Sequence, residues 1–94
     1  MTGTLAWPPL ILYSKPGCHL CEGLAEKLRQ IPEIPALEIR DITTNSTWWE
    51  RYQLEIPVLS LAMDPERPLP QPSPRLTVQQ LSTWLEKQLT SHQC

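Results

Sequence analysis

The sequence predicts an α/β fold in which a small mixed sheet is flanked by helices. Apolar strand-like segments alternate with segments of helical periodicity, in the order β-α-β-α-β-(β)-α. The opening β-α-β unit predicts that the first two strands are parallel and joined by a right-handed crossover. A length of 94 residues suits one small domain over 1–94.

The first strand is predicted over Leu10–Ser14, after a lead-in of residues 1–8. Its nearly continuous apolar run indicates burial on both faces, as in a central strand. A helix is predicted over Cys18–Arg29, in strong helix-forming residues. We expect one apolar stripe along it, consisting of Leu20, Cys21, Leu24, Ala25 and Leu28.

The next strand is predicted over Ala36–Ile42, where apolar and polar residues alternate. Residues 43–47 are all of types that cap helices. Because Thr47 and Glu50 have the spacing of a capping box, a short helix is expected over Trp48–Leu54.

A third strand is predicted over Ile56–Leu61, with Pro57 at its start, where a strand tolerates proline. The proline-rich segment 63–75 predicts either a stiff surface loop or a short edge strand around Pro68–Gln71.

The last helix is predicted to begin with a capping box formed by Thr77 and Gln80, with Leu76 as the staple residue before it. Its apolar stripe extends to about Thr90, and residues 91–94 are expected to be a tail.

Composition and charge exclude several functions. The net charge of −2 offers no basic surface for nucleic acid or anionic lipid. The apolar run near the N-terminus is too short to span a bilayer and lacks the features of a secretory signal. Two of the 3 cysteines lie close together, which fits a reducing cytosol better than a disulfide scaffold. We therefore expect a cytoplasmic protein that binds neither membrane nor nucleic acid.

The most informative motif is Cys18-His19-Leu20-Cys21, which lies between the first strand and the first helix. The first N–H groups of a helix have no partner within it, and the helix dipole favours negative charge there. A thiolate at that position is stabilised, and the thiolate is the reactive form of cysteine. The motif therefore predicts redox chemistry.

The stretch from Tyr13 to Cys21 resembles the active-site segment of glutaredoxins, which have the thioredoxin fold, and Ile56-Pro57-Val58 resembles the cis-proline segment of that fold. The sequence is similar, over Leu10–Leu89, to short glutaredoxin-like proteins with a Cys-His-Leu-Cys motif. The resemblance implies a thioredoxin-like three-layer fold in a single glutaredoxin-like domain.

The resemblance also implies roles for site residues. Cys18 would be the nucleophile and Cys21 the resolving thiol of a thiol–disulfide oxidoreductase that reduces protein disulfides or glutathione-mixed disulfides. Pro57 would be cis and would leave the Ile56 backbone free to pair with an extended thiol substrate. Lys15 would favour the Cys18 thiolate and bind a glutathione carboxylate, unless it is a solvated loop lysine.

The sequence departs from the glutaredoxin pattern in two places, within the motif and before the last helix. His19 and Leu20 replace the usual Pro-Tyr pair. A cationic His19 would stabilise the thiolate, and the alternative is that it points into solvent. Leu20 is expected to continue the helix stripe. The usual Gly-Gly turn before the last helix is also missing, because no glycine follows Gly23.

The missing glycines argue against glutathione binding of the familiar type, although the helix start at Thr77 is a candidate carboxylate site. No tightly bound cofactor is expected, glutathione is kept as a candidate co-substrate, and the electron donor is either glutathione or a thioredoxin-type reductase. A monomer is expected.

Two alternatives belong to other functional classes. Cys18, His19 and Cys21 could bind zinc, or a dimer could share an iron–sulfur cluster. Tetrahedral zinc needs further ligands, however, and the remaining His92 and Cys94 lie on the tail, so no metal site is expected. The other alternative is a non-catalytic thioredoxin-fold adaptor that binds a partner through tryptophans 48 and 49 and the proline-rich surface. Adjacent helical residues cannot share a face, so one of the two should be in the core.

Overall fold

The computed structural model describes residues 8–32, 34, 36–63 and 66–91. Its elements are β1 (Leu10–Ser14), α1 (His19–Arg29), β2 (Leu37–Asp41), a 3-10 turn (Ile42–Thr44), α2 (Ser46–Tyr52), β3 (Val58–Leu61), β4 (Arg67–Pro68) and α3 (Val78–Ser91). The expected order is confirmed. Most of the predicted lead-in and tail, residues 1–7 and 92–94, lies outside the described residues. Within the described ranges, no helix has the length and apolar character needed to cross a membrane.

The four strands form one mixed sheet in the order β2-β1-β3-β4. β1 pairs in parallel with β2 and antiparallel with β3, and β3 pairs antiparallel with β4. The first four residues of β1 are buried. The prediction of a central strand buried on both faces is therefore confirmed.

Helices cover both faces of the sheet. Leu10 and Leu12 of β1 pack in one cluster with Leu28 of α1 and Leu85 of α3. The alternate residues of the strand pack on the other face against Tyr52 of α2 and the 3-10 turn. The result is the expected three-layer arrangement, with α1 and α3 on one side and α2 on the other.

The start of α2 differs from the prediction. Asn45 is the N-cap, and its Oδ1 accepts a hydrogen bond from the Trp48 N–H at 3.1 Å. The predicted box of Thr47 and Glu50 is therefore wrong, and the helix lies two residues earlier than expected. The local sequence offers several capping residues in a row, and asparagine is a better N-cap than threonine.

One of the two alternatives for the proline-rich segment was a short edge strand around Pro68–Gln71. The segment does contain an edge strand, β4, but this strand begins at Arg67 and ends at Pro68. Prolines cannot donate to a ladder, which keeps this strand short. β3 begins at Val58, two residues later than predicted.

The capping box of α3 is confirmed, because Thr77 and Gln80 each donate a backbone N–H to the other's side chain, at 3.0 and 3.1 Å.

Candidate functional site

The tight turn between β1 and α1 positions the two cysteines. Gly17 has φ +83°, a left-handed conformation that glycine adopts without steric cost. The Cys18 N–H donates to the Lys15 carbonyl at 3.2 Å and closes the turn. The chain therefore leaves the central strand and brings Cys18 directly to the start of α1.

Cys18 is the N-cap of α1, and its Sγ accepts a hydrogen bond from the Cys21 N–H at 3.2 Å. The two cysteines form a disulfide with a Cα–Cα distance of 5.3 Å. Cys21 is only 1% exposed, whereas Cys18 is half-buried. The less buried cysteine is therefore also the one whose sulfur accepts a helix N–H.

The two cationic candidates lie on different sides of the site. The His19 side chain is 95% exposed, with Nδ1 3.9 Å from Glu22 Oε1. It therefore points into solvent, as one alternative anticipated. The Lys15 ammonium lies 5.8 Å from the centroid of the Trp49 ring of α2. Trp49 is partly exposed while Trp48 packs in the core cluster, which confirms the split expected for this pair.

Leu20 is 57% exposed, so the expectation that it belongs to the buried stripe is wrong. The buried residues of α1 are Cys21, Ala25 and Leu28. Leu20 lies one position, about 100° of rotation, away from Cys21 at the helix start, where it faces a groove and not the sheet.

Pro57 forms the other side of the site. The Ile56–Pro57 peptide bond is cis, and Pro57 lines the same groove as His19 and Leu20. The Ile56 N–H donates to the Tyr52 carbonyl at 3.1 Å. The expectation of a free Ile56 backbone is therefore wrong for this N–H group.

We call this groove the dithiol groove. It lies between the first turns of α1, Pro57 and the segment 71–76 before α3, and its apolar lining includes Leu20, Leu24, Pro57, Pro72, Leu76 and Leu81.

A hydrogen-bonded cluster at Tyr13 was not predicted, because tyrosine in the first strand indicated only packing. The Tyr13 hydroxyl donates to Glu66 Oε2 at 2.7 Å and accepts from Arg40 Nη1 at 3.1 Å. Burial, together with the Glu66 carboxylate, raises the pKa of Tyr13 to about 12. The partners are 53 and 27 residues away in sequence, so no local pattern points to them.

Among the described residues, no group of at least three His, Cys, Asp or Glu side chains could hold a metal ion. The alternative of a metal site therefore has no ligand cluster there. His92 and Cys94, the further ligands that were considered, lie outside the described residues.

Two comparisons place the chain among known proteins. The model of the glutaredoxin-like domain family (DUF836) matches residues 9–86, which include the dithiol, Pro57 and most of α3. The chain is also similar to the X-ray structure of the Northeast Structural Genomics target protein XcR50 from X. campestris, with 29% identity and a TM-score of 0.61 over 83% of this chain and 96% of that one. These findings confirm the thioredoxin-like fold, and the chain belongs to the glutaredoxin-like domain family.

Proposed function

We propose that the protein is a thiol–disulfide oxidoreductase in which Cys18 is the nucleophile and Cys21 the resolving thiol. Membership of the glutaredoxin-like family, with a CxxC pair, supports a redox function of the thioredoxin-fold type. The observation that carries the finer assignment is the asymmetry of the pair. Cys18 is half-buried and its Sγ accepts a helix N–H, whereas Cys21 is buried. The N–H and the helix dipole both favour a thiolate on Cys18.

The proposed reaction begins with the reduced dithiol. The Cys18 thiolate attacks one sulfur of the substrate disulfide, forms a mixed disulfide and releases the other sulfur as a thiolate, which takes a proton from water. The Cys21 thiolate then attacks Cys18 Sγ, forms the intramolecular disulfide and releases the second substrate thiol. Two electrons thus pass from the protein to the substrate. A thiol reductant, either glutathione or a thioredoxin-type reductase, returns them, as a reducing cytosol would allow.

The test uses the variants Cys18→Ser and Cys21→Ser, both in a Cys94→Ser background so that no third thiol competes. We expect Cys18→Ser to lose disulfide reduction completely, because it lacks the attacking sulfur. Cys21→Ser should complete only the first step and accumulate a mixed disulfide on Cys18, detected by intact-protein mass spectrometry. The Cys94→Ser parent is the control and should keep the activity. Wild-type dithiol reductase activity in Cys18→Ser would refute the assignment.

The electron donor is distinguished in the same experiment. After incubation of the Cys94→Ser parent with oxidised glutathione, a glutathionyl adduct on Cys18 would support glutathione as the co-substrate. An internal disulfide without adduct would favour a thioredoxin-type reductase instead.

A further inference from the structure

We infer that the preferred substrate is a polypeptide disulfide with an apolar residue next to its cysteine, and that the dithiol groove binds that residue. The inference rests on the proposed redox function and specifies its substrate class. Three features of the groove carry it: its position beside the dithiol, the state of its polar groups and its stiff wall.

The groove lies beside the dithiol, although neither cysteine lines it. His19 and Leu20, the two residues between the cysteines, both line it, and Gly23 and Leu24 extend it by one helical turn. Leu20 is exposed and lies two residues after the half-buried Cys18. A residue next to the substrate cysteine that enters the groove would meet the exposed Leu20 on its lining. An apolar side chain there would remove exposed apolar surface from water.

The cationic group of the groove is already bonded within the protein. Among the described lining residues, Lys27 is the one with a permanent charge. Its Nζ donates to the carbonyls of Pro74 and Leu76, at 2.8 and 2.7 Å. Arg75 lies between these two residues but does not line the groove. Two of the three N–H donors of this ammonium group are therefore used by carbonyl oxygens, which leaves one for a carboxylate that enters the groove.

Three backbone donors near the groove are also used. At the start of α3, the N–H groups of Thr77 and Gln80 bond to each other's side chains. On the other side, the Ile56 N–H bonds to the Tyr52 carbonyl. A carboxylate of glutathione would therefore find these three N–H groups already bonded, whereas an apolar side chain needs no donor.

The wall of the groove opposite α1 is stiff. Prolines at positions 72 and 74 fix their own φ angles. The Gln71 Nε2 group donates to the Pro57 carbonyl at 3.3 Å and ties this wall to the cis-proline segment. A preformed apolar groove binds its ligand with little ordering cost, and none of the described residues of this wall that line the groove is a lysine or arginine.

The test measures single-turnover reduction by the pre-reduced protein, so that the two electrons come from Cys18 and Cys21 alone. The substrates are two peptide disulfides that differ only in having Leu or Ser next to the cysteine, together with oxidised glutathione and the neutral bis(2-hydroxyethyl) disulfide. We expect the second-order rate constant to be about tenfold higher for the Leu peptide than for the Ser peptide, the discrimination typical of an apolar pocket. Oxidised glutathione should react no faster than the neutral disulfide.

Variants test whether the groove causes the preference. Leu20→Gln keeps the length of an exposed side chain but makes it polar, and should reduce the Leu/Ser ratio of rate constants at least threefold. Leu20→Met should keep the ratio. Leu54→Gln is the matched control, since Leu54 is an exposed leucine that does not line the groove, and it should change neither rate.

The outcomes separate the two proposals. Failure to reduce any of the four disulfides would refute the proposed function. Reduction of all four with a Leu/Ser ratio near one, a ratio unchanged by Leu20→Gln, or fastest reaction with oxidised glutathione would overturn the inference about the substrate and leave the redox function in place.

Discussion

Tyr13 combines two roles in the central strand. Its ring is 2% exposed and lies 4.3 Å from the Tyr52 ring and 5.8 Å from the Trp48 ring, between centroids. Its hydroxyl joins Arg40 of the edge strand β2 to Glu66, just before β4. One phenol on the α2 face thus connects both edges of the sheet through a charged pair.

Tyr13→Phe should lower the free energy of unfolding by about 1–2 kcal/mol at pH 7, because the hydrogen bonds to charged groups are lost while the ring remains. This difference should depend on pH. The phenol titrates near pH 10 in the unfolded chain and with a pKa of about 12 in the folded protein. Its contribution is therefore complete below pH about 10 and is lost as the pH rises towards 12. Urea unfolding at pH 7, 9 and 11 measures the difference.

Tyr52→Phe is the matched control, since it removes a phenol from the same cluster. A wild-type advantage over Tyr13→Phe that is as large at pH 11 as at pH 7 would contradict the assigned hydrogen bond.

At the scale of elements, the start of α3 is the part of the fold that follows most directly from its local sequence. Thr77→Ala removes the side chain that accepts from the Gln80 N–H and should lower the free energy of unfolding by about 1 kcal/mol. Thr83→Ala is the same substitution within the same helix. Because Thr83 Oγ1 only donates back to the Gln79 carbonyl, and alanine is the better helix former, this variant should be neutral or slightly more stable. Thermal unfolding monitored by circular dichroism compares the two, and equal losses would argue against the cap.

Where an element is determined by a short local segment, its boundaries could be predicted from the sequence to within about one residue. The apolar run of β1, the helix formers of α1 and the reciprocal cap of α3 each occupy a short segment. The start of α2 could not, because Asn45 and Thr47 are both capping residues and the choice depends on the 3-10 turn before them. The two-residue strand β4 depends on its pairing with β3, which no local pattern specifies.

For the candidate site, the sequence indicated the dithiol and its place at a helix start, because motif and helix are contiguous. It did not indicate the exposure of Leu20 or the bonded state of the Ile56 N–H. Both depend on which distant segment lies opposite: the segment before α3 shares a groove with Leu20, and the end of α2 supplies the Tyr52 carbonyl. Helical periodicity places Leu20 at the edge of the apolar stripe of α1, but it does not predict whether a distant segment covers the side chain.

Across the whole molecule, β1 connects two apolar clusters. Leu10 and Leu12 belong to the cluster beneath α1 and α3, while Ile11 and Tyr13 belong to the cluster beneath α2. β1 also pairs with both β2 and β3. Because consecutive residues of one strand support both layers, neither cluster can lose β1 without affecting the other, and the described domain should unfold as one cooperative unit.

Leu12→Ala tests this coupling. Leu12 is fully buried, so its truncation should lower the free energy of unfolding by about 2–5 kcal/mol, a large share of the 5–15 kcal/mol typical of a domain. Leu54→Ala, at a leucine that is 94% exposed, is the matched control and should change it by about 0.5 kcal/mol or less. Far-UV circular dichroism follows the backbone, and near-UV circular dichroism includes Trp48 on the opposite face of the sheet. In Leu12→Ala both signals should shift to the same lower urea midpoint, because the truncated cluster and Trp48 share β1. If the near-UV midpoint stayed at its wild-type value while the far-UV midpoint fell, the two layers would be independent and the coupling through β1 would be refuted.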